Sequence, residues 1–393
     1  MSRITLKSGD PIFPFSLEGL HYKTGKPVRI YIAGGIIAEV REISSLKHGD
    51  KENIIAPGLI DNQINGYINI DFSGYDLTSA GIVLATKAIV RDGVTSFMPT
   101  LITNDHKNLI KNFRILDRAC KEDEFVNSCV PGFHLEGPYI SPEEGYRGCH
   151  PAQHIRKPSW KEFSEYMKAS GERIIQVTMA PEMDGAMEFI RDCVSEGIIV
   201  AIGHSKANTD QINLAVENGA RLSTHLGNGC ANMIHRHHNP LWPQLANDKL
   251  IPSIIADGNH LLPEELQVFI KVKGTKNIIL TSDVVYLSGM APGNYTFGEL
   301  EVTLKEDGTL LVASQNVLAG ASFPLKKGVE NIMKFTGISL GDAVMMASEN
   351  VAGIFNLNDR GKLEPGKMAD IILLQMEGKK LTIKSTYKKG VSA

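Results

Sequence analysis

Short apolar runs that alternate with helical segments constrain the fold of this chain most strongly. Eight such runs lie between residues 54 and 281, and the stretches between them carry helical spacing or helix-capping residues. This alternation predicts βα units whose parallel strands are buried on both faces. The predicted strands are 54–60, 95–101, 129–135, 174–179, 198–202, 221–224, 252–256 and 277–281. Eight such units predict an α/β fold, namely a (β/α)8 barrel.

The two ends of the chain differ from this central region, because apolar and polar side chains alternate there. A Gly34-Gly35 turn predicts a hairpin over residues 29–40, and residues 370–374 and 381–383 predict further short strands. A sheet this small cannot bury both faces alone, so the two ends are expected to form one module. The predicted segments are 1–53 as the first part of a β-sandwich, 54–365 as the barrel and 366–393 as the second part of the sandwich. Within the barrel segment, a strand-rich insertion is predicted over 297–312 and helices over 324–335 and 340–350.

Composition narrows the class of protein. The 393 residues carry a net charge of −3, with 42% hydrophobic and 22% charged residues, which is ordinary for a globular enzyme. Without a basic excess, neither nucleic acid nor an anionic membrane surface is expected as a partner. No window offers 18 apolar residues, the first residues lack the apolar segment of a signal peptide, and the five cysteines form no Cys-x-x-Cys pair. A cytoplasmic protein with reduced thiols is expected.

Polar residues at the ends of predicted strands point to the chemistry. Glu136, His204 and His225 each follow an apolar run and lead into a loop. The carboxyl ends of barrel strands surround one mouth, so these side chains are expected to meet there. One carboxylate and two imidazoles, with a position left for water, form the ligand set of a hydrolytic zinc site. A surface or structural role is expected for four other histidines: His106, His154, His237 and His238.

Two further residues near strand ends allow more than one interpretation. Asp283 could cap the turn after strand 277–281, or it could point into the barrel mouth and accept a proton from water. The second interpretation is favoured once the three metal ligands are granted. His260 could bind substrate or polarise a carbonyl group, and a loop histidine bonded to backbone is the competing interpretation.

Six motifs together resemble the N-acetylglucosamine-6-phosphate deacetylases of the amidohydrolase superfamily, over nearly the whole chain. They are Ala56-Pro57-Gly58-Leu59-Ile60-Asp61, His134-Leu135-Glu136-Gly137-Pro138-Tyr139, Gly203-His204-Ser205, Thr224-His225-Leu226-Gly227-Asn228, Ala256-Asp257-Gly258-Asn259-His260 and Gly361-Lys362-Leu363-Glu364-Pro365-Gly366-Lys367-Met368-Ala369-Asp370. The resemblance implies a distorted TIM (β/α)8 barrel beside a small β-sandwich built from both chain termini, in agreement with the strand pattern.

The same resemblance implies roles for individual residues. Glu136, His204 and His225 match the family's metal ligands, Asp283 matches its general base and acid, and His260 matches a residue that holds substrate and carbonyl. The residues that it places at the substrate are His150, Asn228, Gly229, Arg236 and His260. It further implies a homodimer and an amino sugar phosphate as the small-molecule partner.

Two departures from common amidohydrolase patterns affect these expectations. Many amidohydrolases carry His-x-His after the first strand, whereas Gln63 and Asn65 stand there in this chain, as the remnant of a second-metal position. Strand 174–179 also lacks the lysine that would bridge two metals. One divalent ion per chain is therefore expected, zinc first, with iron, cobalt or manganese as alternatives. In addition, the loop over 229–240 differs from the family's usual loop, which leaves the substrate less well defined than the reaction.

The predicted function is the metal-dependent removal of acetate from an N-acetyl amino sugar phosphate. The expected reaction converts N-acetylglucosamine 6-phosphate to glucosamine 6-phosphate and acetate. One alternative is hydrolysis of another N-acetylated or cyclic amide, as in dihydroorotase or hydantoinase relatives. The other is a catalytically silent binding protein, because a fold alone does not determine function.

Overall fold

The computed structural model describes residues 15–46, 52–297, 300–312 and 317–393. The predicted strand pattern over residues 1–14, and positions 298 and 299 of the predicted insertion, lie outside the described residues. The strands are β1 (Phe15–His21), β2 (Pro27–Ala33), β3 (Ile36–Glu42), β4 (Ile54–Pro57), β5 (Leu59–Ile64), β6 (Gly66–Tyr67), β7 (Ile70–Asp71), β8 (Val94–Ile102), β9 (Phe133–Glu136), β10 (Ile174–Met179), β11 (Ile199–Ile202), β12 (Leu222–Ser223), β13 (Ile251–Ile254), β14 (Ile279–Leu280), β15 (Gly293–Phe297), β16 (Leu300–Leu304), β17 (Leu310–Val312), β18 (Val317–Leu318), β19 (Ile371–Glu377), β20 (Lys380–Lys388) and β21 (Val391–Ser392). The α-helices are α1 (Ser79–Arg91), α2 (His106–Glu122), α3 (Glu124–Cys129), α4 (Trp160–Ala169), α5 (Ala186–Ser195), α6 (Thr209–Glu217), α7 (Leu241–Ala246), α8 (Pro263–Lys273), α9 (Leu325–Thr336), α10 (Leu340–Met346) and α11 (Glu349–Ile354).

Eight parallel strands form a nearly closed barrel, as the alternating apolar runs predict. Their order is β5, β8, β9, β10, β11, β12, β13 and β14. A parallel bridge between Ile64 and Val284 joins the first strand to the residues that follow the last one, and Asn65 donates its backbone N–H to Val284 O at 2.8 Å. The predicted α/β barrel is therefore confirmed, and the strand ends that carry the polar residues face one mouth.

A second, seven-stranded mixed sheet contains strands from both ends of the chain, as predicted. Its order is β21, β20, β19, β4, β1, β2 and β3. The buried ammonium of Lys388 joins it to the barrel, because it lies 2.7 Å from Asp370 Oδ2 and donates to Thr95 O on β8 at 2.9 Å. A buried ammonium and a buried carboxylate must be paired closely to offset the loss of their hydration. The contacts of Lys388 therefore fix the mixed sheet against the barrel.

The predicted first barrel strand, 54–60, is wrong as a single strand. Residues 54–57 form β4, which pairs with β19 and β1 in the mixed sheet, and the barrel strand begins only at Leu59. Gly58 divides the two, because its N–H donates to Asp370 O at 2.9 Å while Leu59 N donates to Gly93 O in the barrel. A Cβ at position 58 would lie 2.1 Å from Thr95 Oγ1, so only glycine fits this crossing between the two sheets.

Three helical segments also differ from the predictions. The predicted strand 129–135 begins only at Phe133, because Asp123 caps helix α3 through Val126 N and that helix runs to Cys129. The predicted helix over 340–350 is divided into α10 and α11 around residues 347 and 348. Helix α2 was not predicted, although Asp105 supplies its N-cap through Asn108 N. The insertion is confirmed as a four-stranded antiparallel sheet, β15–β18, with its own small apolar cluster.

Candidate active site

Three buried side chains at the barrel mouth form a candidate metal site. Glu136 ends β9, and His204 and His225 each lie two residues beyond a strand, β11 and β12 respectively. Glu136 Oε1 lies 3.0 Å from His225 Nε2 and 3.5 Å from His204 Nε2, and the three donor atoms lie within 4.8 Å of one another. The strands therefore bring together the three side chains that the sequence predicts as ligands.

The backbone at these strand ends is strained. His204, His225 and Asp283 have φ angles of 49°, 30° and 52°, in the left-handed region that non-glycine residues rarely adopt. Each such residue costs on the order of 1–3 kcal/mol, and surrounding structure must offset this cost. The sharp turn after each strand directs the imidazole or carboxyl group of these residues toward the barrel mouth. Backbone strain of this kind concentrates at functional sites.

The electrostatics of the cluster suit a divalent cation. Burial opposes ionisation of Glu136, yet hydrogen bonds with His204 and His225 hold the pKa of that carboxyl well below its usual value. Burial lowers the pKa of His225, but the hydrogen bond and charge of Glu136 outweigh it and raise that pKa. The Nδ1 atom of His225 is buried without a hydrogen-bond partner among the described residues. An anionic oxygen beside two imidazoles is a donor set that binds zinc and similar ions.

Neighbouring groups orient the histidine rings. His204 Nδ1 donates to Tyr146 O at 2.9 Å, so Nε2 is the ring nitrogen that faces the cluster. The backbone N–H of His225 donates to Ser253 Oγ at 2.9 Å. Metal-binding histidines typically donate their second ring N–H to a carbonyl or carboxylate in this way. The arrangement of His204 is therefore that of a ligand rather than of a surface histidine.

The amides of Gln63 and Asn65 contact the acidic residues of the site. Gln63 Nε2 lies 2.9 Å from both Glu136 Oε1 and Asp283 Oδ1, and Asn65 Nδ2 donates to Asp283 Oδ1 at 2.8 Å. Burial, and next the negative charge of Glu136, raise the pKa of Asp283 to about 6. The two amides thus place N–H donors between and beside two carboxylates.

Two further histidines line the same cavity. His260 Nδ1 donates to Asp257 Oδ2 at 2.8 Å, which leaves Nε2 for a bound molecule. His150 Nδ1 lies 2.8 Å from Thr103 Oγ1, and its ring packs edge-on against His204 with centroids 4.3 Å apart. Burial, and next the charge of His204, lower the pKa of His150 to about 3, so its ring is neutral near pH 7.

The cavity in front of these residues encloses about 460 Å³. Glu136, His204, His225, Asp283, His150 and His260 line it together with Asn228 and Gly229. Arg236 does not line it and is exposed on the loop that precedes α7. No lysine or arginine within the described part of the chain lines the cavity, so a bound anion would have to be held by histidines, backbone N–H groups or a bound cation.

The chain is similar in sequence to known proteins of one family. A sequence model of the amidohydrolase family matches residues 54–392. The N-acetylglucosamine-6-phosphate deacetylase of Caenorhabditis elegans is 33% identical over 356 residues, which cover 86% of this chain and 82% of that protein. The human protein of the same name is 32% identical over 387 residues, which cover 93% of this chain and 92% of that protein. The chain belongs to the N-acetylglucosamine-6-phosphate deacetylase family of amidohydrolases.

Solved structures of this deacetylase family share the fold. The Thermotoga maritima N-acetylglucosamine-6-phosphate deacetylase matches with a TM-score of 0.85 and 27% identity, over 96% of this chain and 99% of that one. A variant of the Mycobacterium smegmatis enzyme, solved in complex with N-acetyl-D-glucosamine 6-phosphate, matches with a TM-score of 0.84 and 24% identity, over 93% and 94% of the two chains. None of the described helices has the length and apolar character needed to cross a membrane.

Four histidines expected in surface or structural roles are His106, His154, His237 and His238. Among the described residues, the candidate metal cluster consists of Glu136, His204 and His225, and these four histidines lie outside it. His106 lies beside Tyr166 and Glu165, with ring nitrogens 2.9 and 3.1 Å from their oxygens.

The sequence did not predict the residues whose hydrogen bonds hold the candidate active-site side chains in position. Asp257 orients His260, and Thr103 contacts His150. Asp61 is buried, and its Oδ1 accepts hydrogen bonds from Thr281 Oγ1 and from the backbone of Ser282. Asp61 therefore fixes the two residues that precede Asp283. Its place at the end of the Pro-Gly-x-Ile-Asp motif was the available signal, but the motif alone does not reveal the contact.

Proposed function

We propose that this protein hydrolyses the acetamide of N-acetylglucosamine 6-phosphate to acetate and glucosamine 6-phosphate. The observation that carries the proposal is the buried Glu136–His204–His225 cluster beside Asp283, in a chain of this deacetylase family. Curated relatives with this activity in their names cover most of the chain. The cavity volume of about 460 Å³ is within the usual range for small-molecule sites.

Glu136, His204 and His225 would hold one divalent metal ion, for which we propose zinc, with iron, cobalt or manganese as alternatives. Such an ion supplies Lewis acidity to the reacting carbonyl and water. We propose a single ion, because Gln63 and Asn65 direct amide N–H groups at the carboxylates of Glu136 and Asp283. Two amide donors hold both carboxylates in place without a second cation.

Asp283 is proposed to transfer the proton. Its carboxylate would accept a proton from the attacking water while the water oxygen forms a bond to the acetyl carbon. The same proton would then pass to the sugar nitrogen as the carbon–nitrogen bond breaks. The second proton of the water leaves with the new carboxyl group and passes to the amine or to solvent, so acetate and the amine depart and Asp283 is again ionised. The hydrogen bonds from Gln63 and Asn65 occupy Oδ1, so Oδ2 remains for this transfer.

The two cavity histidines are proposed to position the substrate. Because His260 Nδ1 donates to Asp257, its Nε2 accepts a hydrogen bond from a sugar hydroxyl in the neutral ring and donates only in the doubly protonated ring. Stabilisation of the carbonyl oxygen by His260 therefore requires the protonated form. His150, which is neutral, would offer its remaining ring nitrogen to the sugar, beside Asn228 and the backbone of Gly229.

We also propose a homodimer in the cytoplasm. The described chain holds its five cysteines as free thiols, as expected in a reducing compartment.

A substrate comparison tests the proposed activity. We expect acetate release from N-acetylglucosamine 6-phosphate by the metal-loaded protein, with much lower turnover of dihydroorotate and hydantoin, which belong to the cyclic-amide alternative. Acetate can be measured by a coupled assay, and ring opening by loss of ultraviolet absorbance. Preferred turnover of a cyclic amide would replace the deacetylase proposal, and absence of turnover on all substrates would favour a binding protein.

Recognition of the phosphate by Arg236 remains a separate prediction. Arg236→Ala should raise KM for the 6-phosphate about tenfold or more, because a charge-assisted bond contributes about 1.5–3 kcal/mol, while KM for unphosphorylated N-acetylglucosamine stays the same. Arg118→Ala, at an exposed position on α2, provides a matched control and should leave KM for both sugars unchanged. Equal effects of Arg236→Ala on both sugars, or no effect on either, would remove Arg236 from the phosphate site.

A further inference from the structure

A second large cavity lies at the opposite end of the barrel from the metal cluster. It encloses about 690 Å³, which is within the range of small-molecule clefts. Ile199 and Ile251, the first residues of β11 and β13, line it, as does Arg221 immediately before β12. The candidate metal ligands His204 and His225 follow the other ends of β11 and β12. We call it the basal cavity, and it shares no described lining residue with the candidate active site.

The basal cavity is strongly cationic in a chain whose net charge is −3. Its charged lining residues are Arg221, Lys276, Glu349, Arg360, Lys362 and Lys367. The single carboxylate, Glu349, is already matched, because it lies 2.8 Å from Lys23 Nζ and 2.9 Å from Lys362 Nζ. Arg360 is likewise bonded to Asp359. The local excess of positive charge is therefore not balanced by the lining itself.

Two of these cations are available to a ligand. Arg221 and Lys276 are exposed, and their side chains make no hydrogen bond or ion pair with any described residue. Arg221 directly precedes β12, and Lys276 lies in the 3₁₀ turn Thr275–Asn277 before β14, so the two residues flank β13. Because both long side chains line the same cavity, they can converge on one phosphate group. Asn350, which also lines the cavity, fixes the segment that carries Lys276 by donating to Thr275 O and Ile278 O at 2.8 and 2.7 Å.

We propose that the basal cavity binds a small phosphorylated metabolite with at least two negative charges. Arg221 and Lys276 would hold the phosphate through charge-assisted hydrogen bonds. The apolar floor of Ile199, Ile251 and Leu357 would contact the carbon skeleton of the ligand. This site is separate from the proposed catalytic site and does not depend on the deacetylase activity.

Lysine footprinting on the metal-loaded protein tests the proposal, with glucose 6-phosphate as the probe. No lysine of the described chain lines the candidate active site, so binding there leaves this readout unaffected. Acetylation of Lys276 and Lys367 by an activated ester, followed by mass spectrometry, should show saturable protection, whereas Lys271 on the surface of α8 should show none. Equal modification with and without the probe, or equal protection of Lys271, would overturn the proposal.

A pair of double variants tests which side chains bind the probe. In Arg221→Ala/Lys276→Ala, the concentration that half-protects Lys367 should rise about tenfold or more. In the matched control Arg118→Ala/Lys271→Ala, which removes the same charge from exposed helix positions, it should stay the same. An unchanged value in the first double variant would refute the assignment. Should that variant fail to fold, the wild-type footprint with Lys271 as internal control decides alone.

Discussion

Asp283→Asn is expected to lower kcat by about 10²-fold or more, which is the range over which general acid–base groups contribute. Asparagine keeps the size of the side chain and an oxygen that accepts from Gln63 and Asn65, but it cannot take a proton from water. It also tolerates the left-handed backbone, φ 52°, at this position. Steady-state kinetics and metal analysis of the same preparation should show the loss of turnover at an unchanged metal content.

The exposed carboxylate of Asp248 supplies a matched control, because Asp248→Asn removes one negative charge far from the barrel mouth. This variant should turn over substrate at the wild-type rate. If Asp283→Asn retained turnover within about tenfold of wild type, which is less than a general base contributes, Asp283 would not be the base. His260, which lines the same cavity, would then be the next candidate.

His204→Asn is expected to remove most of the bound metal and nearly all activity. Three protein ligands hold the proposed ion, and asparagine cannot replace the imidazole that Tyr146 O orients toward Glu136. Groups that only orient a ligand contribute about 10–100-fold to metal affinity or activity, so loss of the ligand itself should exceed this range. Elemental analysis after gel filtration measures the metal, and acetate release measures the activity.

Backbone strain is controlled in this experiment, because asparagine is among the residues that tolerate the positive φ of His204, 49°. His106→Asn is the matched control, since His106 lies on α2 outside the metal-binding cluster. It should retain metal and activity. A His204→Asn variant with the full metal content would show that the cluster is not the metal site.

The convergence of the three candidate ligands could be predicted from the sequence because it follows a simple geometric rule. Glu136, His204 and His225 each end a buried apolar run, and parallel strands bring such ends to one mouth of a barrel. The rule needs only the order of strands, which the alternation of apolar and helical segments supplies. For the same reason the barrel and the shared terminal sheet were predicted correctly.

Features that depend on contacts between distant segments could not be predicted in this way. Gln63 donates to Glu136 and Asp283, which are 73 and 220 positions away in sequence. The presence of Gln63 and Asn65 in place of His-x-His therefore indicated a lost metal ligand, but it could not reveal the contacts that Gln63 makes instead. The division between β4 and β5 at Gly58 depends on Thr95 and Asp370, neither of which is near in sequence. The basal cavity is likewise assembled from strand starts and from the segment after α10.

The measurement that tests the central claim most directly is a metal titration of the metal-free protein with N-acetylglucosamine 6-phosphate as substrate. Zinc is added in steps, and acetate release and bound metal are measured at each step. Our account predicts no release without metal, and a linear rise in rate that reaches its plateau at one ion per chain. Acetate release without any metal, a rate that rises until two ions are bound, or no release at any metal content would contradict it.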